Sequence, residues 1–206
     1  MLYTCCRAVC LVFLMIFRRL RVVGDTTLPA GQGFLVISNH TSYWDPVVVG
    51  CVLKRRISYM GKAELFEIPL LGFIIKKFGA FPVHRGGIHP SSIRYALNLF
   101  KTGKVVGIFP EGTRSKTDEL LDPHLGAVML ALKGDVPVVP IALSGTKGFW
   151  SQIKVNIGKP ISVAKEQEQG RKVSREDMVS ISRELMSEIN RLLRLMSEGH
   201  ESSSCR

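Results

Sequence analysis

Two short blocks of the sequence gather side chains able to move a proton and to hold an anion. The first is Asn39-His40-Thr41-Ser42-Tyr43-Trp44-Asp45. A neutral imidazole takes a proton from an alcohol near neutral pH, and a carboxylate on its other nitrogen fixes the tautomer and stabilises the imidazolium that forms. His40 and Asp45 therefore read as half of a triad with no obvious nucleophile. Taken alone the pair is a weak signal, because chance produces that spacing often and a lone histidine is usually structural. The second block, Phe109-Pro110-Glu111-Gly112-Thr113-Arg114-Ser115, begins seventy residues after the first. A planar guanidinium with hydroxyls beside it makes a phosphate grip. Alone, this block reads equally well as a surface turn with Glu111 and Arg114 paired.

Both blocks follow short β-branched or aromatic runs bounded by Gly, Pro or Asn. Such runs lie at Phe34–Ser38, Phe81–Val83, Val105–Phe109, Val136–Leu143 and Ile153–Ile157, and they read as strands. Between them, Ser91–Lys101 and Ala127–Lys133 have helical spacing. Alternation of this kind predicts a single layered α/β domain whose mixed, largely parallel sheet is flanked by helices. His40 then stands at the carboxyl end of a strand, where α/β folds bind ligands. Near the end of the chain Ser174 and Asp177 read as a helix N-cap and first-turn acid. Met178, Ile181, Leu185, Ile189, Leu192 and Met196 follow as one apolar stripe of an amphipathic helix, with a frayed polar tail after Ser197.

The chain has 206 residues, 46% of them hydrophobic, and a formal net charge of +11. Its mean hydropathy is +0.16. Disorder is excluded by that apolar content, and nucleic-acid binders usually collect such charge with a hydrophilic composition, so apolar and basic together point to an anionic membrane surface. Residues 165–206 carry eight basic and eight acidic side chains, which puts the whole excess in residues 1–164. The apolar run Ala8–Phe17 is ten residues long, flanked by Arg7 and by Arg18, Arg19 and Arg21. A bilayer crossing takes about 20 residues. The run reads as a helix lying in one leaflet with the arginines at the headgroups, or else as an ordinary buried helix. The stretch Leu65–Phe78 is apolar almost all round, and core helix and lipid-facing surface fit it equally, with Pro69 and Gly72 opposing one regular helix. Cys5, Cys6, Cys10, Cys51 and Cys205 are odd in number and lack a C-x-x-C pair, which predicts reduced thiols and no metal site. The first three read as small apolar residues rather than palmitoylation targets.

Taken together and in order, the blocks resemble the glycerolipid acyltransferases of the 1-acyl-sn-glycerol-3-phosphate acyltransferase type. The N-H-x-x-x-x-D motif of that family matches Asn39, His40 and Asp45, and its F-P-E-G-T-R-S motif matches Phe109 to Ser115. Its aromatic-then-arginine motif is similar to Gly79–Arg85, its V-P-V-x-P motif to Val136–Pro140, and Lys62 with Glu64 and Leu65 also follows the pattern. The resemblance covers about residues 33–145. One departure is Asp122-Pro123-His124-Leu125-Gly126, where relatives often carry a basic residue before the glycine; His124 is its nearest substitute.

The resemblance supplies the missing nucleophile, since the acceptor alcohol itself attacks. It implies acyl transfer from a thioester to the sn-2 hydroxyl of lysophosphatidic acid, forming phosphatidic acid, with His40 as base and Asp45 orienting it. Arg85, Glu111, Gly112, Thr113 and Arg114 are implied as the acceptor-binding set, and Lys62 as oxyanion stabiliser. It implies no cofactor, the donor being acyl-CoA or acyl carrier protein, no nucleic-acid partner, and a monotopic or peripheral place on the cytoplasmic face of a membrane; oligomeric state stays open. The organisation expected is a membrane-interface helix over 1–23, the acyltransferase domain over 24–165, and the C-terminal helix and tail over 166–206. Other readings are the same chemistry on a lysophospholipid with a larger headgroup, an esterase using Ser42 or Ser38, and a basic docking module for membranes or nucleic acid. The esterase lacks a G-x-S-x-G elbow.

Overall fold

The run Phe34–Ser38 is apolar up to its final serine, a pattern suited to a strand covered on both faces. The computed structural model describes residues 2–24, 28–83, 90–117, 119–148, 150–163 and 173–201. Its elements run α1 (Leu2–Phe17), β1 (Arg21–Gly24), β2 (Phe34–Ser38), α2 (Asp45–Val52), β3 (Ile57–Lys62), a 3-10 turn (Ala63–Phe66), α3 (Pro69–Lys77), β4 (Phe81–Val83), α4 (Pro90–Lys101), β5 (Val105–Ile108), α5 (Gly126–Gly134), β6 (Val138–Ser144), β7 (Lys154–Ile157) and α6 (Arg175–Glu201). All five residues of β2 are buried. They alternate across the sheet, with Phe34 and Val36 in one apolar cluster and Leu35 and Ile37 in the other.

The sheet has seven strands in the order β1-β7-β6-β2-β5-β3-β4. Five of its pairings are parallel, and β6 with β7 is antiparallel. The expected layered α/β domain with a largely parallel sheet is the fold observed. Leu14 of α1 and Val48, Val49 and Cys51 of α2 cover the Phe34 face; α4, α5 and the stripe Ile181, Leu185, Ile189, Leu192 and Met196 of α6 cover the Leu35 face. Ser174 Oγ accepts from the Asp177 N–H at 3.1 Å and Asp177 Oδ2 accepts from the Ser174 N–H at 2.8 Å. This reciprocal cap starts α6 where its sequence predicts. The helix continues to Glu201, past the expected fraying point.

Two strands have no counterpart in the sequence reading. All four residues of β1 are exposed, and β3 ends in Met60, Gly61 and Lys62, half-buried or exposed. β1 has no buried residue and β3 buries only its first two, Ile57 and Ser58, and both are completed by the parallel ladder a neighbour offers. The sheet thus begins at Arg21, inside the span assigned to the membrane-interface helix. Pro140 lies inside β6 opposite Ile37. The β7 ladder stops at Ile141↔Ile157 and an isolated bridge joins Val138 to Ile161. Pro140 occupies the break between them, where no ladder N–H is required and its carbonyl accepts from Gly158 N–H at 2.9 Å.

Arg18 also departs from expectation. It is 2% exposed, and its Nη2 donates to the Gly145 carbonyl at 2.9 Å while Nε donates to the Ser151 carbonyl at 3.2 Å. Its guanidinium ties the end of α1 to the β6–β7 loop and is unavailable to headgroups; Arg19 and Arg21 are exposed. In α3 Gly72 is the buried residue, because a Cβ there would meet the Phe66 carbonyl at 2.3 Å. Leu70, Phe73 and Ile74 face outward, so Leu65–Phe78 is surface and not core.

Candidate active site

Because β2, β5 and β6 are mutually parallel, their carboxyl ends share one edge of the sheet. Three segments meet there: the His40 block after β2, the Glu111 block after β5, and Ser144-Gly145-Thr146 at the end of β6. Asn39 sets the first in place. Its amide oxygen accepts from the Leu143 N–H at 2.8 Å and its Nδ2 donates to the Leu143 carbonyl at 2.9 Å. The side chain copies a peptide group and prolongs the β2–β6 ladder by one step, which is why an Asn precedes the histidine.

His40 is then held by the second block. Its N–H donates to Glu111 Oε1 at 2.8 Å, and its carbonyl accepts from the Ser115 N–H at 2.8 Å. Glu111 Oε2 accepts from the Leu121 N–H at 3.1 Å. Glu111 is buried, and both oxygens of its carboxylate serve backbone donors, so it clamps the two blocks together and shapes the turn rather than facing a ligand. Burial raises its pKa against the opposing effect of those two N–H groups. Gly112 turns the chain at φ +64°, and the His124 ring lies 2.6 Å from where a Cβ would stand. His124 is thereby brought to this turn and is exposed.

Asp45 opens α2 and is fully buried. Its Oδ2 accepts from His40 Nδ1 at 2.8 Å and from the N–H groups of Thr41 and Ser42 at 2.7 Å each. Three donors and a helix N-terminus compensate the buried carboxylate. A carboxylate only accepts, so the proton sits on Nδ1 and the lone pair on Nε2. Nε2 has no hydrogen-bond partner among the described residues, and the His40 side chain keeps 17% exposure. Phe109 stacks on the imidazole with centroids 4.1 Å apart, and Tyr59 stacks on Phe109 at 5.9 Å. A base with its tautomer set, its ring clamped and one nitrogen open can deprotonate an alcohol.

This construction has relatives. The Acyltransferase family pattern matches residues 19–144, from the end of α1 through β6 and including both blocks. The chain is 36% identical over 169 residues to the 1-acyl-sn-glycerol-3-phosphate acyltransferase of Bacillus subtilis, covering 79% of this chain and 84% of that one. It belongs to the 1-acyl-sn-glycerol-3-phosphate acyltransferase family. The enzyme of that name from Saccharomyces cerevisiae is 31% identical over 163 residues, covering 72% of this chain and 54% of that one. In three dimensions the acyltransferase shares the fold of the 1-acyl-sn-glycerophosphate acyltransferase of Thermotoga maritima. The TM-score is 0.61 at 24% identity, over 92% of this chain and 82% of that one.

Other candidate residues of the acyltransferase are placed less uniformly. Arg114 is exposed on the same sheet edge as His40, and its Nη2 donates to Tyr43 Oη at 2.9 Å. Thr113 is exposed beside it. Lys62 ends β3, which is separated from β2 by β5 and hence stands roughly 10 Å away. It is exposed, and no contact with His40 or Arg114 is present among the described residues. Arg85 lies outside the described residues. Sequence reasoning gave no role to Asn39, Phe109 or Tyr43, and it passed over Thr146, whose buried hydroxyl meets that of Thr41 at 3.1 Å. Each belongs to or touches a recognised block, but its work is a contact with residues distant in the chain.

Proposed function

We propose that this acyltransferase transfers an acyl group from a thioester to the sn-2 hydroxyl of lysophosphatidic acid, yielding phosphatidic acid. The observation that carries the reading is the Asp45–His40 pair at 2.8 Å with Nε2 open, on the sheet edge that also bears Arg114. His40 Nε2 takes the hydroxyl proton as the alkoxide oxygen attacks the thioester carbonyl. The carbon–oxygen bond forms, the tetrahedral intermediate collapses with loss of the carbon–sulfur bond, and the imidazolium returns the proton to the leaving sulfur. No covalent acyl-enzyme and no cofactor are involved. Arg114, joined by Arg85, binds the acceptor phosphate, and Lys62 is the candidate for stabilising the oxyanion. The thioester is carried by coenzyme A or by acyl carrier protein.

The lysolipid comes from a bilayer on which the enzyme lies. Supporting this, Val9, Val12, Met15 and Ile16 form one exposed apolar stripe on α1, and Leu70, Phe73 and Ile74 another on α3, with Lys76 and Lys77 in its last turn. Tyr3 of α1 meets Phe78, the residue that follows α3, with the rings 5.8 Å apart. Among the described residues no helix is long and apolar enough to cross a membrane. Exposed apolar stripes on two helices, with the exposed Arg19 and Arg21 after the first, suit the anionic cytoplasmic leaflet.

The test is release of free thiol from each donor, with lysophosphatidic acid and lysophospholipids of larger headgroup as acceptors, for the native enzyme and His40→Ala. Lysophosphatidic acid should be preferred, and the substitution should cut turnover by about two to four orders of magnitude. Near-normal transfer by His40→Ala would overturn the mechanism, and preference for a larger headgroup would overturn the acceptor assignment.

A further inference from the structure

Tyr43 sits between His40 and Asp45 in sequence yet takes no part in their hydrogen bonds. It is 73% exposed, an unusual place for a large ring beside a catalytic loop. Among the described residues its hydrogen-bond and ring contact is with Arg114, 71 residues away. The guanidinium carbon stands 3.5 Å from the centroid of the Tyr43 ring, and Nη2 donates to the hydroxyl at 2.9 Å. Face contact and edge contact therefore fall on the same pair of side chains.

An arginine on an exposed loop has many rotamers, and binding a phosphate with two parallel N–H groups demands one plane. Contact with the ring face together with a bond to the ring's own hydroxyl fixes the guanidinium in place at the expense of one donor. The hydroxyl occupies one donor on Nη2. The guanidinium retains its other N–H donors for an anion.

We propose that Tyr43 is a positioning residue that holds the Arg114 guanidinium preset for the acceptor's phosphate, so that the loop carrying the base also orients the anion grip. The proposal rests on Arg114 being a phosphate ligand. It gives a physical reason for an aromatic residue inside the His40–Asp45 block: the spacing between phosphate and reacting hydroxyl is governed by one rigid segment.

The experiment compares Tyr43→Ala, Tyr43→Phe, Arg114→Ala and the Tyr43→Ala/Arg114→Ala double variant, measuring KM and kcat for lysophosphatidic acid and for a monoacylglycerol that lacks the phosphate. Tyr43→Ala should raise the KM for lysophosphatidic acid about 2- to 5-fold, the worth of one exposed cation–ring contact, with a much smaller change in kcat. Tyr43→Phe keeps the stack and should recover most of that loss. In the Arg114→Ala background Tyr43→Ala should add nothing, since the two act as one unit. The KM for monoacylglycerol, which has no phosphate to grip, should rise much less in either variant than the KM for lysophosphatidic acid. If Arg114→Ala raises KM and Tyr43→Ala does not, the positioning role is wrong while the phosphate grip stands. If Arg114→Ala itself leaves KM unchanged, the grip is wrong. Equal losses on both acceptors, or a lower KM in Tyr43→Ala, would also overturn the proposal, the latter by making Tyr43 a mask over Arg114.

Discussion

Replacing Asp45 by Asn changes one atom of the buried carboxylate and tests the whole logic of the base. In the native enzyme Oδ2 receives His40 Nδ1 and the Thr41 and Ser42 N–H groups within 2.7–2.8 Å. An asparagine oxygen still accepts from the two backbone donors, which keeps the loop in place. The same oxygen, in the place of Oδ2, also keeps Nδ1–H, and the NH2 takes the place of Oδ1, which has no hydrogen-bond partner among the described residues, so the tautomer is kept. Nε2 still presents its lone pair to the substrate proton, but no carboxylate stabilises the imidazolium that forms. A positioned base contributes about two to four orders of magnitude, and without its counter-charge kcat should lose about two of them, roughly 3 kcal/mol in barrier terms. The KM for lysophosphatidic acid should change little, because the phosphate grip is untouched. Loss of an anion at the start of α2 costs about 1 kcal/mol of stability, a fall in Tm of about 2–4 °C, so the variant remains folded. Steady-state thiol release with melting curves on the same preparations separates the two effects. A folded Asp45→Asn enzyme within tenfold of native turnover would refute the role of the Asp45 carboxylate in stabilising the imidazolium.

Other expectations concern residues whose roles emerged from the fold. Gly112→Ala places a side chain at φ +64° and 2.6 Å from the His124 ring. It should cost about 1–2 kcal/mol, visible as a lower Tm, and weaken acyl transfer through the displaced turn. Arg18→Ala removes the guanidinium donor from the Ser151 carbonyl and leaves that of Gly145 to the Ser151 hydroxyl, and should destabilise the fold by about 1–3 kcal/mol in denaturant titration, whereas Arg19→Ala and Arg21→Ala should leave Tm nearly unchanged and weaken sedimentation with anionic vesicles by about 1 kcal/mol each. Burial raises the pKa of Glu111 above its ordinary 4.5. The relative stability it contributes is present below that value and is lost as pH rises through the folded one. Glu111→Gln removes this titration but has one oxygen for two N–H donors, so it should be less stable than the native enzyme at pH 4 by a margin that narrows towards pH 7. A margin that widened would contradict the sign of the shift.

Much of this protein was determined by sequence alone, and the reason is locality. Five of its strands and the C-terminal helix rest on runs of a few residues whose periodicity or continuity reports burial, and the Ser174–Asp177 cap spans one helical turn. The types in the two blocks, an imidazole with a carboxylate and a guanidinium with hydroxyls, already limited the chemistry to proton transfer beside an anion. What sequence could not decide was every outcome of long-range pairing. β1 has no buried residue and β3 buries Ile57 and Ser58 alone, so the hydrogen bonds that neighbouring strands complete define both more than their own burial does. Glu111 and Arg18 are charged residues that read as ligand or headgroup contacts. The parallel setting of β2 beside β5 and the approach of α1 to the β6–β7 loop turn both inward to satisfy backbone groups. The Tyr43–Arg114 contact depends on the same strand order. Spacing along the chain named the chemical groups, and the sheet alone set which of them face one another and which face the substrate.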